Sequence, residues 1–317
     1  MYLIVTIDTE EDNWGDYSPT GQTLENIQRI PRLQELFDEY DVKPTYLITY
    51  PVATDPKSIS ILRKILDEGK CEIGTHCHPW NTPPFEEDRN KKNSMLNNLP
   101  AELQFNKIKN LHEVIRINFG IIPISFRGGR WGFNRDTALA IHKLGYKVDS
   151  SVTPYTSWTD DYGPDYSEIS PRPYRINPDN IFEDSKNSNM IEIPATIGYL
   201  QNNFKLANSF LKIFEQGNNR FRFIGILSKL KLLNKVWLSP ELSSSEEMIS
   251  LAKIFMKKNI KFLNMTFHSN SLIAGKNPFI RSNEDGNDFL SRIKEFLLFS
   301  KEAEIKSIRL SEGADLV

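Results

Sequence analysis

The sequence predicts an α/β protein built on a parallel sheet, either doubly wound or closed as a barrel. Two observations predict this. Short apolar, β-branched runs alternate with segments of helical spacing along most of the chain, the pattern of consecutive β–α units. The residues with the most chemical potential, Asp8, His76, Arg127, Asp149 and His268, each follow a predicted strand. In a barrel, functional side chains collect at the C-terminal ends of the strands, so five separate strands would bring these residues to one face.

The elements follow in order. Residues 2–7 are apolar and β-branched and run into a carboxylate, which predicts a first strand. Leu24, Ile27, Leu33, Leu36 and Phe37 carry helical spacing over 24–40. A strand is expected at 44–49, a helix at 57–66 stopped by Gly69, and a strand at 71–76. A long helix at 103–119, a strand at 122–127, a helix at 136–144 closed by Gly145 and a strand at 146–149 complete the first half. Residues 150–188 are polar and proline-rich, and an irregular excursion of that length in a compact protein is usually functional or disordered. Order returns with a strand at 190–193, helical segments at 204–214 and 221–233, a helix at 245–258, a strand at 261–267 and a last helix at 288–301. We expect one domain over residues 1–317, with the excursion at about 150–188 and a helical insertion at about 204–235; no internal repeat is evident.

Composition narrows the function. The chain has 317 residues, of which 39 are basic and 41 acidic, a net charge of −2. That balance leaves no electrostatic footprint for nucleic acid. Charged residues at 25% and aromatics at 11% fit a folded globule. Two cysteines make no secreted disulfide framework. The start, MYLIVTIDTEED, lacks the basic region and long apolar stretch of a secretory signal, so a cytoplasmic location is expected. No run reaches the ~18 apolar residues of a membrane span.

Several motifs carry chemistry. In TIDTEED (6–12), strand alternation puts Asp8 and Glu10 on one side; two such carboxylates suit a metal ligand beside a general base, and an acidic solvent-facing turn is the plainer alternative. In EIGTHCHPW (72–80), His76 and His78 face one way in an extended chain and Cys77 the other. Paired neutral imidazoles suit Zn²⁺ and related divalent ions, with a carboxylate from elsewhere completing an open site. In FRGGRWGFN (126–134), Arg127 is placed to hold a carboxylate ionised. Gly128 and Gly129 leave backbone N–H groups free to meet an oxyanion. YKVDSSVTPY (146–155) places Asp149 at a strand end, and MTFHSNSL (265–272) places His268 at another. A histidine with a carboxylate partner makes a tunable acid near neutral pH. His112 and His142 read as ordinary surface or interface residues. No nucleotide fingerprint, phosphate loop or serine-esterase elbow is present.

In this order, the acidic strand end, histidine pair, F-R-G-G-R-W-G, strand-end Asp and F-H resemble the NodB-like polysaccharide deacetylases, the fourth family of carbohydrate esterases. The resemblance is strongest to its cytoplasmic WalW-like branch, found with surface-polysaccharide biosynthesis, and it spans residues 6 to about 292. It implies a distorted (β/α) barrel of seven or eight parallel strands and metal-dependent removal of an acetyl group from an N-acetylated (sometimes O-acetylated) sugar. It implies Asp8 as catalytic base, Arg127 as the arginine orienting it, His268 as general acid and Asp149 as the acid tuning that histidine. Glu10, His76 and His78 would bind a divalent metal, Zn²⁺ first, and Trp80, Gly128, Gly129 and Trp131 would meet the substrate. The chain departs from the family pattern. Its acids are separated by Thr9 and the second is a glutamate; its histidines are two apart, with Trp80 in the usual second position; the usual R-x-P proline is missing. Glu10, Glu11 and Asp12 thus all stand as metal-binding acids.

The expected mechanism is attack on the acetyl carbonyl by a water that the metal acidifies and Asp8 deprotonates, with His268 protonating the departing amine. Two alternatives are a metal-dependent amidase acting on a small non-sugar amide or imide, and a decayed glycan-binding protein. A basic, apolar-interleaved stretch with Lys205, Lys212, Arg220, Arg222, Lys229, Lys231 and Lys235 suits either contact with an anionic membrane carrying lipid-linked glycan or two helices packed with their lysines in water.

Overall fold

The chain begins with YLIVTIDT, β-branched and apolar at most positions, and this becomes β1 (Tyr2–Thr9), buried at every residue but the first. Burial on both faces marks an interior strand of a parallel sheet. A computed structural model of the protein describes residues 1–177, 180–186, 188–215 and 234–317. After β1 come β2 (Thr45–Ile48), β3 (Glu72–Cys77), β4 (Ser125–Gly128), β5 (Val148–Asp149), β6 (Tyr174–Arg175), β7 (Ile191–Glu192), β8 (Ile197–Tyr199), β9 (Lys235–Trp237), β10 (Phe262–His268) and β11 (Lys306–Ser307). The main sheet runs β10-β1-β2-β3-β4-β5-β7-β6. Among the described residues its first seven strands are parallel, and β6 closes the edge antiparallel to β7. β11 adds to the beginning of β1.

The sheet curls into a half-barrel. Among the described residues no eighth parallel strand completes it. After β7 the chain returns to β10, where Thr196 N–H donates to the Asn264 carbonyl at 3.2 Å and Thr266 N–H to the Leu238 carbonyl at 3.0 Å. The antiparallel ribbon β8–β9 lies between these two bonds in sequence. A polar layer crosses the interior. Arg127 Nη2 donates to Thr6 Oγ1 at 2.7 Å, Thr6 Oγ1 donates to Asn264 Oδ1 at 2.9 Å, and Asn264 Nδ2 donates to Ser150 Oγ at 2.9 Å.

The helices cover the outside: α1 (Ile30–Glu39), α2 (Tyr50–Thr54), α3 (Pro56–Asp67), α4 (Ala101–Phe119), α5 (Arg135–Lys143), α6 (Phe204–Glu215), α7 (Ser245–Lys257) and α8 (Asn283–Glu302). Their ends follow local chemistry. Asp55 accepts from Ser58 N–H to start α3, and Asn134 from Thr137 N–H to start α5. Ser244–Glu247 and Ser282–Asp285 capping boxes start α7 and α8. The α8 box lies upstream of the apolar periodicity, so the helix begins five residues before the expected 288. The helix expected at 24–40 is α-helical only from Ile30, behind a 3₁₀ turn at Asn26–Arg29. Pro31 has no N–H to donate, so it belongs in a first turn.

The excursion at 150–188 holds little regular structure besides β6 and a 3₁₀ turn at Thr159–Asp161. Two lysines of the basic stretch fasten onto it: Lys212 pairs with Glu168, and Lys235 donates to Thr156 Oγ1 at 2.9 Å. Arg220, Arg222, Lys229 and Lys231, with the helix expected at 221–233, lie outside the described residues. No described helix is long and apolar enough to cross a membrane.

Candidate active site

Parallel pairing in register delivers the expected convergence. Asp8 and His268 are direct neighbours at the ends of β1 and β10, and His76 and Arg127 at the ends of β3 and β4. Glu10 lies just past the end of β1. Its carboxylate meets the two imidazoles: one ligand atom each from Glu10, His76 and His78 falls within 4.8 Å of the others. Glu10 Oε2 is 3.4 Å from His78 Nε2 and 3.7 Å from His76 Nε2, and the two Nε2 atoms are 2.8 Å apart. All three residues are buried.

This donor set fits a divalent ion. His76 Nδ1 donates to the Arg127 carbonyl at 3.2 Å, which leaves the Nε2 lone pair facing the cluster. Two imidazole nitrogens and one carboxylate oxygen are donors that could hold a divalent metal ion. Burial pushes the Glu10 carboxyl up to about 7, and the nearby Glu11 and Asp8 add to this against the pull of His268 and His78. A carboxylate so placed needs a cation beside it to stay ionised at neutral pH. Asn270 Nδ2 orients it, donating to Oε1 at 3.1 Å.

The other two acids have different tasks. Glu11 accepts from Asn81 Nδ2 at 2.8 Å and Trp80 Nε1 at 3.2 Å, fixing the loop that carries His78. Asp12 accepts from Thr23 Oγ1 (2.7 Å), Glu25 N–H (2.8 Å) and Asn26 Nδ2 (2.7 Å), so it caps the 3₁₀ turn. Cys77 points to the opposite face and is buried there, its thiol pushed up to about 12 by desolvation.

Asp8 is buried, which by itself would raise its pKa. The Arg127 guanidinium outweighs burial, with His76 and His268 assisting, and holds the carboxyl near 2. Arg127 Nη1 donates to Asp8 Oδ1 at 2.5 Å and Nε to the Ser150 carbonyl at 2.8 Å. The Trp131 ring covers the guanidinium at 4.9 Å. Asp8 Oδ2 remains on the cavity side, 3.8 Å from His76 Nε2 and 3.9 Å from His268 Nε2.

His268 carries a carboxylate partner, but a different one from that expected. Its Nδ1 lies 3.0 Å from Glu241 Oε2, and its N–H donates to Glu241 Oε1 at 2.9 Å. Burial would lower the imidazole pKa; Glu241, Glu10 and Asp8 outweigh it and push the value up to about 10. Trp14 meets the ring edge-on at 4.8 Å.

Asp149 is therefore corrected. Its carboxylate accepts from Ser151 Oγ at 2.7 Å and Ser151 N–H at 3.1 Å, and it pairs with Glu192, its register partner on β7. Its hydrogen bonds go to Ser151 and Glu192, and Glu241 already occupies the His268 ring's Nδ1. Gly128 and Gly129 are corrected as well, because neither lines the cavity. Gly128 N–H donates to Ser151 Oγ at 2.8 Å and has no capacity left for an oxyanion. A Cβ on Gly129 would come within 2.1 Å of His78 Cδ2, so this glycine makes room for the imidazole. His112, read as a surface or interface residue, is buried with Nδ1 3.2 Å from the Tyr146 hydroxyl.

Trp80 and Trp131 stand in the wall of a cavity of about 490 Å³ that also contains Asp8, Glu10, His76, His78 and His268. Sequence reasoning missed Glu241, Asn270 and Trp14. Glu241 carries the same signal as Asp8, a carboxylate just beyond a strand, but K-V-W is too short to read as one.

No family model and no curated protein matches the chain. Solved structures do. A candidate polysaccharide deacetylase from Mycobacterium smegmatis superposes with a TM-score of 0.55 at 14% identity, over 99% of this chain and 90% of that one. A candidate glycoside hydrolase/deacetylase from Parabacteroides distasonis gives 0.65 at 13% identity, over 99% and 70%. The 4-alpha-glucanotransferase of Thermococcus litoralis gives 0.53 at 12% identity, over 100% of this chain and 40% of that one. Identities this low speak for architecture alone, and the architecture this chain shares is the NodB-like polysaccharide deacetylase fold.

Proposed function

We propose that the protein is a metal-dependent hydrolase that removes the acetyl group from an N-acetylated sugar. One observation carries the reading: an Arg-paired Asp8 and a Glu-paired His268 flank the Glu10–His76–His78 cluster inside one aromatic cavity. A base held ionised and an acid held protonated, a few ångströms apart, are what hydrolysis of an amide requires.

Glu10, His76 and His78 would hold the ion, with Zn²⁺ favoured by the two imidazoles. A bound divalent ion supplies Lewis acidity, acidifying water and polarising a carbonyl. Asp8 Oδ2 takes a proton from the attacking water while Arg127 holds Oδ1. His268 Nε2 delivers a proton to the departing amine nitrogen, and Glu241 keeps the ring oriented through Nδ1. Water and amide thus become acetate and a free amine. The setting we infer is cytoplasmic synthesis of a surface polysaccharide, on the strength of the motif resemblance.

The test is acetate release by Zn²⁺-loaded and chelator-stripped protein from N-acetylated sugars, O-acetylated sugars and a small cyclic imide. The reading expects acetate from the N-acetylated sugars with loaded protein only. Turnover of the imide alone would favour the small-amide alternative. Loaded protein that turns over nothing would point to a glycan-binding role.

A further inference from the structure

We propose that the site takes a short glycan, or the terminal unit of a longer one, of about two sugar rings, and does not admit the interior of a polymer. This inference rests on the deacetylase reading and specifies its substrate.

The chain contains five tryptophans, Trp14, Trp80, Trp131, Trp158 and Trp237, and all five line the cavity beside the Glu10–His76–His78 cluster. They come from five separate segments, so no local pattern groups them. An indole presents a broad apolar face with one polar handle, which suits the C–H face of a pyranose ring. The volume, about 490 Å³, lies within the ~300–1,000 Å³ common for sites that enclose a small ligand.

The rim decides how a glycan enters. The loop 12–23 is pinned at its base: Asp12 N–H donates to the Thr23 carbonyl at 2.9 Å and Thr23 N–H to Asn13 Oδ1 at 2.9 Å. On one side this loop sets Trp14 against Phe279, ring centres 5.4 Å apart. On the other it sets Tyr17 against Trp80 at 5.0 Å and under the Arg130 guanidinium at 5.2 Å. Arg130 Nη2 in turn lies 3.9 Å from Asp161 Oδ1 of the excursion, and Asp161 also pairs with Lys91. Side-chain contacts therefore run from Phe279 to Trp14 on one side and from Tyr17 through Arg130 to Asp161 on the other, and the backbone of residues 14–17 joins the two. A polymer bound through its interior needs a groove open at both ends, and this rim walls off one of them.

Because every tryptophan lines the cavity, tryptophan fluorescence excited selectively over the 11 tyrosines reports on it. The experiment titrates Zn²⁺-loaded protein with N-acetylated hexosamine oligomers of one, two, three and five rings, in gluco and galacto series, and maps by mass spectrometry which acetyl groups are lost. We expect affinity to rise about tenfold from one ring to two and to change less than about twofold thereafter, with acetate lost only from the terminal residues of the pentamer. Affinity that climbs with every ring to five, or loss of internal acetyl groups, would overturn the size inference and leave the deacetylase reading intact. Saturation at two rings with no acetate from any oligomer would support the size inference and remove the deacetylase reading. No fluorescence response at any length would overturn the inference outright.

Discussion

Glu241 grips His268 at two points, Oε2 against the imidazole Nδ1 at 3.0 Å and Oε1 under the same residue's N–H at 2.9 Å. The carboxylate side chain is 2% exposed, so its charge acts on the ring with little solvent screening. Burial would lower the imidazole pKa; this contact, with Glu10 and Asp8 assisting, outweighs it and pushes the value up to about 10.

Glu241→Gln should lower the His268 pKa towards its ordinary 6.5. The acid form would then be lost at lower pH, and the alkaline limb of the kcat/KM profile should move down by pH units while metal content stays the same. His268→Ala should cost about 10²- to 10⁴-fold in kcat, again with the metal retained. An alkaline limb that stays in place in Glu241→Gln would remove His268 as the acid.

Arg127→Met leaves the Asp8 carboxylate buried without its cation. Breaking a buried pair from one side typically costs ~3–5 kcal/mol, and urea unfolding at pH 7 should show a loss of that order. The sign with pH follows from Asp8, whose folded pKa near 2 lies below the ordinary 3.8. The pair contributes stability above pH ~4 that disappears as pH falls towards 2. The gap between wild type and variant should therefore narrow over that window.

Glu10→Gln should reduce zinc below one equivalent after dialysis, because it removes the only carboxylate in the cluster of three. Asp12→Asn should keep its zinc and lose roughly 1 kcal/mol of stability, as expected for a weakened cap. Elemental analysis of the two variants side by side checks both halves. Equal zinc in both would mean that the acid facing the histidines is not a ligand.

Gly129→Ala places a methyl 2.1 Å from His78 Cδ2 and 2.8 Å from the Cys77 carbonyl. The imidazole has to turn away. Zinc affinity measured by calorimetry should fall by about 10- to 100-fold, the range for disturbed ligand orientation, and circular dichroism should remain that of the folded protein. Unchanged affinity would show that the ring accommodates the methyl without leaving the cluster.

Much of the site was legible in the sequence for a local reason. Strands announce themselves by apolar, β-branched runs, and the residue that ends such a run sits at the sheet's C-terminal edge. Asp8, His76, Arg127 and His268 were found that way. The two-residue spacing of His76 and His78 placed both rings on one side and Cys77 on the other, because side chains alternate along an extended chain. The same reasoning misplaced Asp149, which stands at the end of β5 but whose carboxylate bonds to Ser151 and Glu192, while Glu241 takes the histidine.

The sequence alone determined the strand–helix alternation and which residues stand at strand ends, since propensity and periodicity act over a few neighbouring residues. Only the tertiary structure decided that Glu241 and not Asp149 partners His268, that Glu10 faces both histidines while Glu11 lies against His78 alone and Asp12 caps a turn, that Gly128 donates to Ser151, and that five scattered tryptophans share one cavity. These are contacts between residues tens to hundreds of positions apart. Strand order and the curl of the sheet set them, and no local pattern encodes either.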